Sequence, residues 1–208
     1  MKIQDRIIVL NSTPFSEKSL VLHCLSRKWG RRSFLVSNAS RLMPFFQPLN
    51  ILDCDVTENQ KSRLYRVSSF VNVAPLAGIR SSYGKNAISM FISEVLYRAL
   101  REDMNDSGLF VWCQEEILLL DALQADYANF HIRFLLDFAA AMGFSPSYEA
   151  LLPFLDDNAS LAGEFLRRDA ADSMLIPISG VRRSDLCVRL LKYLECHLEA
   201  PLKIRSLA

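Results

Sequence analysis

The stretch from Gly78 to Lys85 resembles a phosphate-binding loop, the motif by which many enzymes hold a nucleotide. Such a loop needs four residues between its glycines and a Ser or Thr directly after its Lys, because that hydroxyl binds magnesium. Here five residues separate Gly78 from Gly84, and Asn86 follows the Lys. Ser82 and Lys85 have the spacing of a serine acyltransferase pair, but the Lys-Thr-Gly sequence that accompanies it is absent. We therefore interpret the stretch as a flexible linker.

The other residue types that carry catalysis are scattered along the chain. The three histidines are far apart, and none has a second metal ligand three or four positions away. Adjacent acids, such as Glu115-Glu116 and Asp156-Asp157, diverge on a helix or a strand. The cysteines form no C-x-x-C pair, which indicates separate thiols in a reducing compartment: Cys24, Cys54, Cys113, Cys187 and Cys196. We predict no catalytic site, no metal and no cofactor, and therefore no enzyme.

The charge of the chain is divided unevenly along its length. Residues 1–85 hold 13 Lys and Arg against 5 acids, a net charge of +8, whereas residues 86–208 hold 11 against 18, a net charge of −7. The total of +1 conceals this division. An asymmetry of this size indicates two regions with different partners, of which the first faces a polyanion.

Basic and aromatic residues of the front region lie close together near the expected turns. Single-stranded nucleic acid binding needs cations along the phosphates and exposed rings on which bases stack. We predict a DNA-binding set in which Phe15 or Trp29 stacks on bases and the cations contact phosphates: Phe15, Lys18, Arg27, Lys28, Trp29, Arg31, Arg32 and Arg41. The alternative is that Trp29 and Phe45 are core residues and that the cations only solvate the fold.

The first 80 residues have short apolar bursts typical of strands, separated by turn residues. The expected strands are Lys2–Leu10, Leu20–Ser26, Ser33–Ser37, Leu49–Thr57 and Leu64–Phe70. The expected turns lie at Asn11–Pro14, Trp29-Gly30 and Glu58–Gln60. Five short strands fit a small barrel, of which the OB-fold is the five-stranded form that binds oligonucleotides. An SH3-like barrel or a small sandwich remains open.

Helical periodicity dominates after about residue 80, and Ala77–Gly84 is the expected boundary. The expected helices cover 88–99, 109–123, 128–142 and 184–199, while 147–180 gives no clear pattern. We therefore predict an α+β protein of two domains, a basic OB-fold barrel over residues 1–80 and an acidic all-α domain over residues 81–208. The start of the chain has no signal sequence, and no apolar run is long enough to span a membrane, which predicts a cytoplasmic protein.

Two stretches at opposite ends resemble the RecO family of bacterial recombination mediators. Thr13–Leu22, followed by Trp29-Gly30-Arg31, is similar to that family's first hairpin, and Leu190–Leu207 is similar to its closing helix and basic tail. Leu49–Leu52 and Phe134–Phe144 match further parts of the same family. The similarity therefore extends over most of the chain.

This resemblance implies an N-terminal OB-fold packed on a helical domain without a catalytic site. It implies a nucleoid-associated protein that binds single- and double-stranded DNA and anneals complementary strands. It also implies that RecR-like and RecF-like partners act with this protein to load recombinase onto strands coated by single-stranded DNA-binding protein. The acidic tail of that coating protein would dock on the helical domain, for which the candidates are Arg98, Arg101, Arg133 and Arg167. Many relatives carry a four-cysteine zinc module, but residues 114–186 contain no cysteine, so we expect no zinc.

A protein-interaction adaptor is the alternative from another class. Its basic barrel would dock an acidic protein and never contact nucleic acid. Charge alone does not separate the two readings, because an acidic protein and a phosphate chain both attract a basic surface. Replacing Arg31 and Arg32 by Glu would separate them, since only a DNA-binding protein has DNA affinity to lose.

Overall fold

The computed structural model describes residues 2–58, 65–102 and 104–206. Five strands close into a barrel: β1 Lys2–Ser16, β2 Ser19–Ser26, β3 Gly30–Ser37, β4 Ile51–Thr57 and β5 Tyr65–Asn72. They follow the order β1-β2-β3-β5-β4, and every neighbouring pair is antiparallel except β3 and β5. This is the five-stranded topology of the OB-fold, so the prediction of that barrel is confirmed.

Strand β1 is longer than its sequence indicates. Its first half pairs with β4, and its second half, from Ile7 to Ser16, pairs with β2. Register shifts between Val9 and Asn11 and between Pro14 and Ser16 let one strand bend through both pairings. The predicted turn at Asn11–Pro14 is therefore wrong, and the chain turns instead between β1 and β2, at Glu17 and Lys18. Asn59 and Gln60 of the other predicted turn lie outside the described residues.

Alternate side chains of the strands fill the barrel, as a period of two requires. Leu22 and Phe34 lie opposite each other on β2 and β3 and are fully buried. A 3₁₀ segment, Met43–Phe46, precedes β4, and its Phe46 ring packs edge-on against Phe70 of β5, with ring centroids 5.1 Å apart. Over the described residues, side chains therefore fill the interior of the barrel.

Eight helices follow within the described residues: α1 Ala77–Ser81, α2 Tyr83–Ala99, α3 Ser107–Ala122, α4 Phe130–Ala141, α5 Tyr148–Leu155, α6 Ala159–Arg167, α7 Ala170–Met174 and α8 Gly180–Leu198. Side-chain caps begin several of them, including Ser82 at α2 and Asp106 at α3. The four predicted helices correspond to α2, α3, α4 and α8. No helix in the described ranges is both long and apolar enough to cross a membrane.

The predicted flexible linker, Gly78–Lys85, instead forms most of α1 and the first turn of α2. Tertiary hydrogen bonds hold this segment in place: Arg80 donates to the Pro48 carbonyl at 2.7 Å, and the Asp121 carboxylate accepts from the Ile79 amide at 2.8 Å. These bonds come from residues more than thirty positions away, so local composition does not reveal them.

Barrel and helices share one apolar core along α2. Leu10, Leu49 and Ile51 of the barrel side belong to the same buried cluster as Phe91 and Val95 of α2. At the β2–β3 turn the Arg31 amide donates to the Met104 carbonyl at 3.1 Å, which ties the barrel to the segment between α2 and α3. The helices therefore cover part of the outer surface of the barrel.

Candidate nucleic-acid interface

The turn between β1 and β2 brings two of the predicted DNA-binding cations together. Lys18 lies in the turn, and Arg41 ends a 3₁₀ segment, Ala39–Arg41, that follows β3. The Ala39 amide donates to the Lys18 carbonyl at 3.1 Å, which fixes the two segments side by side. Both cations are exposed and line an open hollow of about 360 Å³ together with Asn38 and Ser40. This end of the barrel can therefore receive an anion.

Phe15 lies on the same hairpin and is 62% exposed. The register shift between Pro14 and Ser16 leaves Phe15 without a paired residue on β2, and it belongs to neither buried cluster formed by the described residues. A ring this exposed is available for stacking on a nucleic acid base. Phe15, Lys18 and Arg41 thus combine an aromatic platform with two cations.

The strand register adds a cation to this face that the sequence-based set omits. Cα partners run across four strands, from Thr13 to Val21, from Val21 to Leu35, and from Leu35 to Arg66. Four neighbouring strands span about 14 Å. Arg66 is exposed on β5, beside Leu35. We call the surface that these residues form the hairpin face: Thr13, Phe15, Lys18, Val21, Leu35, Arg41 and Arg66.

Arg27 and Lys28 lie at the other end of β2, about 25 Å from Lys18 for a strand of this length. They are exposed and line a groove of about 690 Å³ together with Arg6 and three aspartates, which we call the turn groove. Arg6 donates to both oxygens of Asp53, at 2.7 and 3.0 Å. Carboxylates therefore offset part of the positive charge in the turn groove.

Asp5 is a buried carboxylate of the turn groove that shapes the β2–β3 turn. Ser26 donates to its Oδ2 at 2.5 Å, and the Ser26 hydroxyl oxygen in turn accepts from the amides of Lys28 and Trp29, at 3.2 and 2.9 Å. Burial raises the pKa of Asp5, while the hydrogen bond from Ser26 opposes that rise. The carboxylate thus holds the turn that presents Arg27 and Lys28.

Arg31 lies in the junction between barrel and helices. It is 4% exposed, and its guanidinium lies 4.9 Å from the centroid of the Tyr97 ring on α2. Burial lowers the pKa of this guanidinium. Arg31 is therefore not presented to solvent phosphates, although it is adjacent in sequence to residues that are.

Trp29 and Arg32 both contact Tyr65 at the start of β5. The rings of Trp29 and Tyr65 are stacked with centroids 5.8 Å apart, and the Arg32 guanidinium lies 5.6 Å from the Tyr65 centroid. Trp29 and Arg32 are half-buried, and Trp29 packs against the barrel core. Phe15 is consequently the more accessible of the two rings proposed for stacking.

The four arginines predicted to bind a partner fall into two separate pairs. Arg98 and Arg101 are exposed near the end of α2, where Arg101 donates to the Leu198 carbonyl at 2.9 Å. Arg133 is bonded to Asp137 at 2.7 and 2.6 Å and to carbonyls of α6 and the residue after it, and Arg167 donates to Glu164 at 2.6 Å. The four side chains do not converge on one pocket.

Potential metal ligands do not converge in the part of the chain that the structure describes, where no group of three His, Cys, Asp or Glu residues could hold an ion. Four cysteines are buried and Cys196 is exposed, all as free thiols. Burial raises the pKa of the Cys54 thiol to about 12, so it stays protonated at neutral pH.

The fold and its surfaces define a class of protein: an OB-fold with a basic, partly aromatic outer face, joined to a bundle of helices. Residues 1–75 match the family model described as "Recombination protein O N terminal", and residues 80–150 match "Recombination protein O C terminal". The chain belongs to the RecO family, as its sequence motifs predict.

Relatives named DNA repair protein RecO support the same assignment. The protein of Flavobacterium johnsoniae is 31% identical over 163 residues, which cover 75% of this chain and 68% of that relative. The protein of Phocaeicola vulgatus is 32% identical over 147 residues, 68% of this chain and 61% of the relative. The protein of Porphyromonas gingivalis is 28% identical over 184 residues, which cover 85% of this chain and 71% of that relative. The alignments thus span about two thirds of these relatives.

Proposed function

We propose that this chain is a DNA repair protein that binds single- and double-stranded DNA through its barrel and anneals complementary strands. The observation that supports this most directly is the hairpin face, where the fold brings Phe15, Lys18 and Arg41 together and adds Arg66. In this proposal residues 1–80 bind DNA and residues 81–208 bind partner proteins. No catalytic step is involved.

Binding at the hairpin face rests on charge and stacking rather than on reading base edges. Lys18, Arg41 and Arg66 pair with phosphates, and such contacts carry little sequence information. Phe15 stacks on a base, which every base permits because each has a π-face. The expected binding is therefore strongly salt-dependent and nearly independent of sequence.

Annealing follows from the separation of the two cation groups. A strand held by its phosphates on the hairpin face keeps its base edges free for a complementary strand. Arg27 and Lys28, at the other end of β2, offer a second contact for the phosphates of the incoming strand or of the duplex that forms. Neutralising phosphates on both strands reduces the repulsion that opposes pairing.

The proposal includes partners for the helical region. RecR-like and RecF-like proteins and the acidic tail of single-stranded DNA-binding protein would join this chain to load recombinase, at the nucleoid in the cytoplasm. Arg98 and Arg101 are the favoured contacts for an acidic tail, because Arg133 and Arg167 are already paired with carboxylates. This assignment rests on exposure and charge.

Charge reversal on the hairpin face tests the DNA-binding proposal. We expect Lys18→Glu with Arg41→Glu to weaken binding of a labelled single-stranded oligonucleotide at least tenfold at low salt. With three phosphate contacts on the hairpin face, the wild-type slope of log affinity against log salt is about −2, and each lost contact reduces its magnitude by about 0.7. The measurement is fluorescence anisotropy at several salt concentrations.

The matched control is Arg182→Glu with Lys192→Glu, which changes the net charge equally at two exposed positions of α8. This control should leave the affinity within about twofold. An equal loss in both double variants would show a diffuse electrostatic attraction instead of a site. Failure of the wild-type chain to bind the oligonucleotide would favour the adaptor.

A further inference from the structure

Helix α3 carries apolar residues on its outer side as well as on its buried side, and the described part of the chain leaves the outer side exposed. Its inner side is buried in the helical core through residues such as Phe110, Ile117 and Leu120. On its outer side Val111 is 40% exposed and Leu119 is 44% exposed. Contiguous exposed apolar side chains often mark a binding surface, so the outer side of α3 is a candidate interaction surface.

The exposed residues form a continuous row along this helix. Val111, Glu115, Leu118 and Ala122 follow one another at spacings of four, three and four, which places them above each other on one face about 16 Å long. Leu119 lies beside the row. We call this surface the α3 outer face: Val111, Glu115, Leu118, Leu119 and Ala122.

Trp112 makes one edge of the α3 outer face rigid. Its ring lies against two parallel rings of α4, with centroids 5.3 Å from Phe134 and 6.0 Å from Phe138. Trp112 is half-buried, so the stacked rings support α3 from the side without closing over its outer row. A partner would meet a surface that is already ordered, which lowers the entropic cost of binding.

The charged residues of α3 itself are all acidic: Glu115, Glu116 and Asp121. Between Arg101 and Arg133 the sequence holds seven Asp or Glu residues and no Lys or Arg. Glu115 is exposed within the row, whereas Glu116 is half-buried and lies near Arg133 of α4. Lys85 approaches the end of α3 but is 3% exposed and donates to the carbonyls of Asp121 and Leu123. The α3 outer face is therefore apolar and acidic, so it is complementary to a basic apolar partner and repels an acidic one.

We propose that the α3 outer face docks a basic amphipathic segment of a partner protein. Apolar side chains of that segment cover Val111, Leu118 and Leu119, and a Lys or Arg of the segment pairs with the exposed Glu115. In this mode of recognition an amphipathic segment lays its apolar face on an apolar surface, and charged residues pair at the edge of the contact. The surface lies on the helical region, and it selects the opposite charge from the acidic tail considered for Arg98 and Arg101.

Peptide binding to the full chain tests this inference. The probe is a fluorescein-labelled amphipathic peptide of leucine and lysine at helical spacing, and its counterpart carries glutamate in place of every lysine. We expect the basic peptide to bind and the acidic one not to bind. Leu118→Ser with Leu119→Ser should lower the affinity about tenfold or more, and Glu115→Lys should weaken the basic peptide while strengthening the acidic one.

Val181→Ser with Val188→Ser is the matched control, because these two exposed valines of α8 lie on another helix. It should leave peptide affinity unchanged. Circular dichroism melts and oligonucleotide binding show that each variant is folded and separate this test from that of the hairpin face. Equal binding by the Leu118/Leu119 variant and wild type would overturn the inference. The inference would also be overturned if the wild-type chain self-associates in sedimentation experiments and the same variant abolishes that association, because a second copy of the chain would then be the occupant.

Discussion

Arg31 and Arg32 are adjacent in sequence but serve different parts of the molecule. On a strand, successive side chains point to opposite faces. Arg31 consequently reaches Tyr97 of α2, whereas Arg32 reaches Tyr65 of β5. Replacing both by Glu would bury a carboxylate at the junction with α2, so a loss of DNA affinity would be confounded by a loss of stability. The exposed pair Lys18 and Arg41 is the cleaner choice for that test.

Glu116 is a carboxyl whose titration reports on the contact between α3 and α4. Burial, together with nearby Asp137, raises its pKa to about 7, although Arg133 acts in the opposite direction. The unfolded chain releases this proton near its ordinary value of 4.5, whereas the folded chain retains it until about 7. The free energy of unfolding should therefore fall as pH rises through this window, because the folded state binds more protons there.

We expect Glu116→Gln to remove this part of the pH dependence. The variant should be more stable than wild type by about 1–2 kcal/mol at pH 8, a value reduced for the partial exposure of the side chain, and should match wild type near pH 4.5. Urea unfolding at both pH values measures the difference. The exposed neighbour Glu115, changed to Gln, is the control and should show little effect at either pH. Parallel pH profiles for wild type and Glu116→Gln would contradict the assignment.

At the scale of elements, Lys85 of α2 caps the end of α3. Its ammonium group donates to the carbonyls of Asp121 and Leu123, in the last turn of α3 and just beyond it, where carbonyls lack helical partners. The positive charge also complements the negative end of the helix dipole. This contact joins two helices whose sequences give no sign of it, and it explains why a lysine is 3% exposed.

We expect Lys85→Met to destabilise the protein by about 1–3 kcal/mol, because two partly buried carbonyls lose their donor while the methionine fills similar space. Thermal unfolding followed by circular dichroism measures the loss. Lys192→Met, at an exposed position of α8, should change stability by less than about 0.5 kcal/mol. Equal melting temperatures for the two variants would show that the bonds to α3 contribute nothing.

Elements with a strong local signal could be predicted from the sequence, and those that depend on distant partners could not. The apolar periodicity of Phe130–Ala141 indicates α4 directly. Closure of the barrel sets the parallel pairing of β3 with β5, which places Arg66 beside Leu35. The set of DNA-binding residues predicted from the sequence therefore omits Arg66. The residues of Asn11–Pro14 are typical of a turn, but they lie within β1. They fit there because the strand bends at the register shifts on either side of them.

At the scale of the whole molecule, the barrel and the helices are joined where surfaces approach too closely for a side chain. Gly30 has a φ of +64° and begins β3, and a Cβ atom there would lie 1.7 Å from the Met104 carbonyl oxygen. The neighbouring Arg31 amide donates to that same carbonyl. Only glycine meets both the backbone and the contact requirement at this position.

We expect Gly30→Ala to cost about 3 kcal/mol or more, since it adds a clash with backbone to the strain of a left-handed conformation. Gly143→Ala is the matched control: it also has a positive φ, of +84°, but no atom of the described residues lies within 4 Å of its Cβ position. That variant should lose only about 1 kcal/mol, from strain alone. Urea unfolding of both variants measures the two losses. Because the clash separates β3 from the segment after α2, Gly30→Ala should also speed hydrogen exchange at the Arg31 amide. Equal losses of stability in the two variants would show that the close contact at Gly30 adds nothing to the cost of the substitution.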